Sequence, residues 1–359
     1  MFLASKELKY SKMKFALIIA VIILISYLVY FLTSLAYGLA SSYTNAINEW
    51  ESTHIIMTID ANDNMMMSYM TQTDFESVSV EGKKERLGLF PAVITNPLVS
   101  NDVDSRINVY FFGIENDSYL KPKNNLTVEL VGNHVIVDEE LKKEGYKIDD
   151  IFVVSTTSGT TKEFIIKGFS ANTTYQTAPV IYMSLSTWQE YRYDSQTPPN
   201  IYSGIIINGE VNSLGSNLSL YETKDFINTL PGYTAQVLTF STMIIFLIII
   251  VAFVLGIFIY VLTIQKTNMF GVMKAQGISN SYIGFSVIIQ TFLLVAIGII
   301  FGLILTTLSG YFLGQTIPFA FNPLFYTVIT IAFFIFALFG ALFSVKAVLK
   351  IDPLKAIGA

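Results

Sequence analysis

Cysteine is absent from the 359 residues, and histidine occurs only at His54 and His134. Without cysteine the chain can form neither a disulfide nor a thiolate metal site. The sequence also contains no HExxH pattern, which argues against a zinc hydrolase, and no GxxxxGK(S/T) phosphate loop. We therefore expect no cofactor and no catalytic residues in this chain, and we expect any ATP hydrolysis to take place in a separate partner subunit.

Charged side chains are scarce, because they make up 14% of the residues while 52% are hydrophobic. In soluble domains about a quarter of all residues are charged. Four apolar runs, at 15–40, 241–264, 283–310 and 324–347, are long enough for helices that cross a bilayer. None has a charged side chain in its middle, so the proton relay of an ion-driven transporter is not expected.

Lysines flank these runs on one side, which indicates the orientation of the chain in the membrane. They lie in the segment 1–14, the connection 265–282 and the tail 348–359, whereas the turn 311–323 has no charge. Residues 41–240 contain 13 Lys and Arg against 25 Asp and Glu, a net charge of −12. We expect both termini in the cytoplasm, residues 41–240 outside, and no nucleic acid as a partner.

The outside region mixes strand-like and helix-like stretches, which predicts an α+β domain inserted between the first two transmembrane helices. Residues 40–51 keep a helical spacing, so the first helix is expected to extend outward as a stalk. At the other end Pro231 and Gly232 mark the boundary. The predicted strands are His54–Asp60, Ile107–Ile114, Ile151–Val154, Phe164–Phe169, Val180–Met183 and Gly204–Ile207, and the predicted helices are Ser186–Tyr193 and Thr223–Leu230.

The connection 265–282 is expected to form a short amphipathic helix that ends at a glycine and protrudes as a knob on the cytoplasmic side. Such a knob can fill a groove in a partner protein. The candidate residues for coupling to an ATPase are Phe270, Gly271, Val272, Met273, Lys274, Ala275 and Gly277.

Small residues four positions apart recur in the apolar runs and permit close helix packing in lipid. They are Ser34 with Gly38, Ala252 with Gly256, Gly298 with Gly302, and Ala337 with Ala341.

Three features of the sequence resemble one family. They are the string FGVMKAQGIS at 270–279, the tail KAVLKIDPLKAIG at 346–358, and the order of one apolar run, a large outside region and three more runs. Together they resemble FtsX-like permeases of the MacB type. The resemblance implies a type VII ABC permease fold in a bacterial plasma membrane, with two permease chains and two cytoplasmic ABC ATPase subunits. It also implies a dimer interface on the first two spans, which selects Ser34, Gly38, Ala252 and Gly256.

Within that family, the residues 2–39, 172–183 and 223–233 resemble the permeases of haem exporters. The resemblance implies haem or another amphipathic toxic compound as cargo, exported by mechanotransmission. Tyrosine and methionine can ligate haem iron, and aromatic rings can stack on a flat ligand. The candidate cargo contacts are Tyr37, Tyr43, Tyr175, Tyr233, Phe240 and Met243.

Two alternatives remain open from the sequence. Aromatic residues near the outer boundary are also typical of an interfacial belt that binds no cargo. The second alternative is an FtsX-like transmembrane regulator, which activates an extracellular cell-wall hydrolase or signals to a sensor kinase without moving a compound.

Overall fold

The computed structural model describes residues 12–95, 106–156, 158–314 and 316–349. Most of the predicted cytoplasmic segment 1–14 and of the tail 348–359 lies outside the described residues. The chain divides into two compact units. The membrane unit comprises the residues up to Gly38 and from Val237 onward, and the sheet unit comprises Leu39–Gln236.

Four long helices are apolar enough to cross a membrane. Among the described residues they account for nearly all of the membrane unit, as expected of a lipid environment in which every backbone polar group must be paired within its helix. The first helix runs well beyond the predicted end at residue 40, through the predicted stalk. The four are α1 (Lys12–Glu49), α6 (Tyr233–Ile264), α8 (Asn280–Leu313) and α9 (Pro323–Leu349).

Glycines in α8 let α1 pack closely against it. A Cβ added to Gly298 would overlap Ile22, and one added to Gly302 would overlap Ser26. At this contact the Ser26 hydroxyl donates a hydrogen bond to the Gly298 carbonyl oxygen at 3.1 Å. Further along, the Tyr27 and Ser309 hydroxyls are hydrogen-bonded at 2.9 Å. The α1–α8 contact is therefore both close and polar, which is the combination that holds helices together in lipid.

The helix α9 packs on α1 and on α6 through different residues. The Tyr30 hydroxyl of α1 is hydrogen-bonded to that of Thr330 at 2.6 Å. On α6, Gly256 approaches so closely that a Cβ added to Gly340 of α9 would lie 2.9 Å from its Cα. One buried apolar cluster includes side chains from all four long helices.

The described part of the sheet unit contains ten strands in one mixed sheet with the order β10-β1-β9-β2-β3-β8-β4-β6-β5, and β7 pairs with β8. Pairs β3–β8 and β4–β6 are parallel, and the other pairs are antiparallel. This is the α+β fold expected from the sequence. The strands are β1 (His54–Thr58), β2 (Ser79–Thr95), β3 (Arg106–Ile114), β4 (His134–Asp138), β5 (Ile151–Ser155), β6 (Thr161–Ser170), β7 (Thr174–Tyr175), β8 (Ala178–Ser184), β9 (Gly204–Ser213) and β10 (Leu218–Glu222).

The long strand β2 connects two parts of the sheet. Its first half pairs with β9, and its second half pairs with β3 and, at Ile94 and Thr95, with β5. The second pairing closes a ring of six strands, β2-β3-β8-β4-β6-β5. Phe111, Phe152 and Phe164 are fully buried in one apolar cluster with residues of all six strands.

Short helices cover parts of the sheet. Trp188, in one of them, lies directly over Gly88 and Gly113, which are paired partners on β2 and β3. A Cβ on either glycine would overlap the tryptophan or come within 2.5 Å of it, so only glycine leaves room for this ring. The four helices are α2 (Gln72–Ser77), α3 (Glu140–Lys143), α4 (Leu185–Arg192) and α5 (Thr223–Thr229).

The C-terminal end of α1 is bound to the tip of the β7–β8 hairpin. The backbone N–H groups of Gln176 and Thr177 donate to the carbonyl oxygens of Tyr43 and Ser42 at 3.0 and 3.1 Å. Both turn residues have left-handed backbones, with φ of 47° and 68°. This conformation is unfavourable for a β-branched residue such as Thr177. The hairpin therefore keeps a strained tip whose N–H groups bind the helix.

This strain predicts that Thr177→Asn stabilises the sheet unit, because asparagine tolerates the left-handed conformation and the Thr177 side chain is exposed. We expect a gain of about 1 kcal/mol and a rise of the thermal midpoint by about 3 °C, measured by circular dichroism of the purified chain. Thr161→Asn, at an exposed strand position, is the matched control and should not raise the midpoint. Equal midpoints for Thr177→Asn and the wild type would contradict the prediction.

Candidate functional site

The predicted coupling residues lie on the short helix α7 (Thr267–Ala275) and in the turn that ends it. The N–H groups of Gly277 and Ile278 donate to the carbonyl oxygens of Lys274 and Met273, both at 3.0 Å. Gly277 has φ of 83°, and Ile278 packs against the cluster that contains Met273. These features make a Schellman motif, in which a glycine lets the chain reverse immediately after a helix.

The helix α7 has two apolar faces, and only one of them is exposed. Phe270 and Met273 are 2% and 8% exposed and pack against Ile283 and Val287 of α8. Val272, on the other face, is 43% exposed.

This arrangement corrects the expectation that all the coupling residues lie on a protruding surface. Phe270, Gly271 and Met273 are buried and hold α7 in place, and Lys274 is half-buried. Val272, Ala275 and Gly277 are exposed, as is Met269, which the sequence interpretation did not include.

A lysine holds the start of α7 against α8. The Lys266 ammonium donates a hydrogen bond to the Gln290 side-chain oxygen at 2.9 Å and lies 5.1 Å from the centre of the Phe15 ring of α1. Gln290 is 7% exposed, and no hydrogen bond to its side-chain nitrogen is found within the described residues. Sequence reasoning missed this contact, although a glutamine inside a long apolar run is a signal that could have found it.

Two of the four residues predicted for a dimer interface are occupied within the chain. Ser34 is buried and hydrogen-bonded to Tyr326 of α9, and a Cβ on Gly38 would overlap Pro318. The small residues that were expected to admit a second copy instead admit this chain's own α9 and the connection before it, so the expectation for Ser34 and Gly38 is corrected. Ala252 and Gly256 on α6 are half-buried.

Tyr175, one of the candidate cargo contacts, belongs to the core of the sheet unit. It is 2% exposed, and its ring packs edge-on against Tyr110 and Phe112 with centroids 4.9 and 5.6 Å away. Burial raises the pKa of the Tyr175 hydroxyl far above its usual range, so a phenolate does not form there. The expectation that Tyr175 contacts cargo is therefore corrected.

The other candidate aromatics remain partly accessible. Tyr43 near the end of α1 and Tyr233 at the start of α6 are neighbours in the sheet unit, with ring centroids 5.9 Å apart. Tyr37 belongs to the membrane unit, where its ring packs edge-on against Phe325 of α9. Phe240 and Met243 are half-buried on α6. The structure thus brings Tyr43 and Tyr233 together.

No group of three or more His, Asp or Glu side chains is placed to hold a metal ion within the described residues.

Residues 241–353, which contain α7, α8, nearly all of α6 and the described part of α9, match the family described as FtsX-like permease C-terminal. Four apolar helices with a mixed-sheet domain between the first and the rest agree with this match and with the fold inferred from the sequence. In its membrane helices the chain is therefore similar to FtsX-like permeases.

Relatives match over nearly the full length. A protein of Staphylococcus epidermidis (strain ATCC 12228) is 26% identical over 360 residues, which cover 99% of each chain. A protein of Staphylococcus haemolyticus (strain JCSC1435) is 25% identical over 365 residues, again 99% of each chain. The names of both assign them provisionally to a hemin transport system as the permease protein HrtB.

The two faces of α7 predict a sharp contrast in chemical labelling. Because the chain has no cysteine, single-cysteine variants report one position each. We expect Val272→Cys to react rapidly with a water-soluble maleimide and Met273→Cys to be protected at least tenfold, with the exposed Gln276→Cys as positive control. Equal rates at 272 and 273 would show that α7 does not pack on α8 by this face.

Proposed function

We propose that this chain is the membrane subunit of an ABC exporter that moves haem or a similar amphipathic toxic compound. The observation that carries the proposal is helix α7, which is fixed from behind by Phe270, Met273 and Lys266 and presents Met269 and Val272 to the outside of the chain. A rigid apolar surface of this kind is suited to a groove in a cytoplasmic ATPase. The names of the full-length relatives support transport, and no observation favours the regulator alternative.

The mechanism we infer is mechanotransmission. When two ATPase subunits close on ATP, α7 moves with them, and Lys266 and the packing on α8 pass the displacement into the long helices. The helix α1 continues unbroken to Glu49, and its outer end is hydrogen-bonded to the β7–β8 hairpin. Movement of α1 would therefore be transmitted to the sheet unit. This mechanism does not require cargo to pass through a charged pore.

We infer a homodimer with two ATPase subunits, and we assign the subunit contact to α6 through Ala252 and Gly256. Gly256 packs on Gly340 of α9 from one side, but a Cβ added to Gly256 would meet no atom within 4 Å, so its other side is open to a second copy. The apolar window of this helix is 17% buried within the chain, against 33%, 44% and 33% for the other three. Phe246, Phe253 and Ile257 on the same helix are more than half exposed. In a dimer this surface would be covered by the second copy and by lipid.

The orientation we propose has both termini in the cytoplasm of a bacterium and residues 41–240 outside the plasma membrane. Lys266 and Lys274 flank α7, and Lys346 lies near the end of α9, as the rule for cytoplasmic positive charge requires. ATP binding would belong to the partner subunit, because the sequence has no phosphate loop.

The coupling role predicts that Val272→Asp weakens the binding of a co-expressed ABC ATPase by about tenfold and abolishes its stimulation by the permease. Val272 is exposed, so the substitution places a charge on the docking surface without opening the α7–α8 contact. Ser281→Asp adds the same charge at an exposed position in the first turn of α8 and should change neither quantity. Co-purification and ATPase assays measure both, and wild-type behaviour of Val272→Asp would contradict the role of α7.

The cargo assignment predicts a specific role for Tyr233, which lies beside Tyr43 at the start of α6. A tyrosine oxygen can ligate ferric haem, so Tyr233→Phe should shift the Soret band of haem bound to the purified chain and weaken protection of cells against haem. Tyr182→Phe is the matched control, because Tyr182 is 1% exposed inside the sheet unit. Identical spectra for the two variants would remove Tyr233 as a ligand, and the absence of saturable binding would remove haem as cargo.

A further inference from the structure

An open cleft of about 580 Å³ lies in the sheet unit between the end of α3 and strand β6. All three charged residues that line it are lysines, Lys142, Lys147 and Lys167. No acidic side chain of the described residues lines it, although residues 41–240 carry 25 acidic and only 13 basic residues. The charged side chains that line the cleft are therefore all positive, on a domain that is negative as a whole.

The lysines differ in how far their charge is compensated. The Lys167 ammonium is paired with Asp149 at 2.5 Å, and its side chain is 32% exposed. The Lys142 ammonium lies over the Phe169 ring, 4.8 Å from its centre. Lys147 is exposed, and no ion pair of its side chain is found within the described part of the chain. At least two of the three positive charges thus remain available to an anion.

The floor of the cleft is shaped by a glycine and a buried amide. Gly168 on β6 lies against Asn125, and a Cβ at this position would overlap the Asn125 side-chain oxygen. Asn125 is 7% exposed, and its side-chain nitrogen donates to the Phe169 carbonyl oxygen at 2.8 Å. The floor is therefore built from fixed groups, while the lysines form the rim.

A buried tyrosine with an unpartnered hydroxyl also lines this cleft. Tyr146 lines it and is 3% exposed, and its hydroxyl oxygen has no hydrogen bond within the described residues. Burial, assisted by the charges of Glu144 and Asp150, raises the pKa of Tyr146 to about 12, so the group stays a hydrogen-bond donor at neutral pH. An unsatisfied buried donor is costly, and an anionic acceptor would satisfy it.

The cleft also offers apolar surface beside the charges. Ile148 is 50% exposed, and the Phe169 ring is half-buried under Lys142. The volume lies within the range of small-molecule sites, about 300–1,000 Å³. A bare phosphate would leave the apolar surface in water, whereas a partly apolar carboxylate would use both kinds of surface.

We propose that this cleft binds a small amphipathic carboxylate, with its acid groups on the three lysines and Tyr146 and its apolar body on Ile148 and Phe169. The proposal rests on the proposed function in one respect, which is the choice of haem as the probe. Haem is the proposed cargo, and as a flat apolar ring with two carboxylates it belongs to this class of ligand. The cleft is separate from Tyr43 and Tyr233, so the chain would hold a second site for such a ligand on the sheet unit.

The experiment titrates haem into the full-length chain in lipid nanodiscs, with empty nanodiscs subtracted. We expect the variant K142Q/K147Q/K167Q to weaken binding about tenfold and Tyr146→Phe to weaken it severalfold. The matched control K83Q/K162Q/K224Q removes three lysines of the sheet unit that do not line the cleft and should bind as the wild type does. Haem dimethyl ester, which lacks free carboxylates, should bind the wild type about as weakly as haem binds the triple cleft variant.

The outcomes separate this inference from the proposed function. If wild-type cells are protected from haem but the triple cleft variant binds haem as tightly as wild type, the cleft is not the site and the exporter proposal stands. Equal binding of haem and its dimethyl ester would likewise overturn the inference. If the wild-type chain neither binds haem saturably nor protects cells, both proposals fail. Since Lys147 is exposed and makes no ion pair with a described residue, Lys147→Gln alone should still weaken binding measurably if the triple variant folds poorly.

Discussion

The membrane unit depends on the close packing of α1 against α8. In lipid there is no hydrophobic force between helices, so association rests on shape and on polar contacts across the interface. Gly298 and Gly302 leave room for Ile22 and Ser26, and the Ser26 hydroxyl uses that proximity to reach a backbone oxygen of α8. A larger residue at either glycine would separate the helices and break this hydrogen bond. The position of α1 in the membrane unit is therefore determined by two glycines of α8, where any side chain would keep the helices apart.

Much of the fold was accessible to sequence reasoning because apolar runs and β-branched stretches are local signals. The four long helices and the strands β1, β3, β5, β6, β8 and β9 follow from such signals. The strand β2 was missed because its first half reads as a charged loop, EGKKER at 81–86. Lys84 and Arg86 are accommodated there by the Phe75 ring, at 4.2 and 4.5 Å from its centre, which is a contact between segments that no local pattern reveals.

In the candidate site, too, local features were predictable from the sequence and contacts between distant segments were not. The Gly277 turn and the short helix before it were predictable, but the expected polar face was not found. Both faces of α7 are apolar, and only the contact with α8 decides that Met273 is buried and Val272 exposed. A pair of small residues four positions apart occurs both where helices of one chain pack and where two chains meet. The pattern cannot distinguish these cases, which is why Ser34 and Gly38 were misassigned. Tyr175 stands among polar neighbours in the sequence, and it is buried by contacts with distant residues such as Tyr110 and Phe112 of β3.

The unbroken length of α1 has a mechanical consequence. Its 38 residues span about 57 Å at about 1.5 Å per residue, roughly twice the thickness of the hydrocarbon layer. A tilt of about 10° about its inner end would carry its outer end sideways by about 10 Å by simple geometry of a rod of that length. If α1 transmits movement as proposed, its length would amplify small rotations, and a single proline or a glycine pair near its middle would let the helix bend instead.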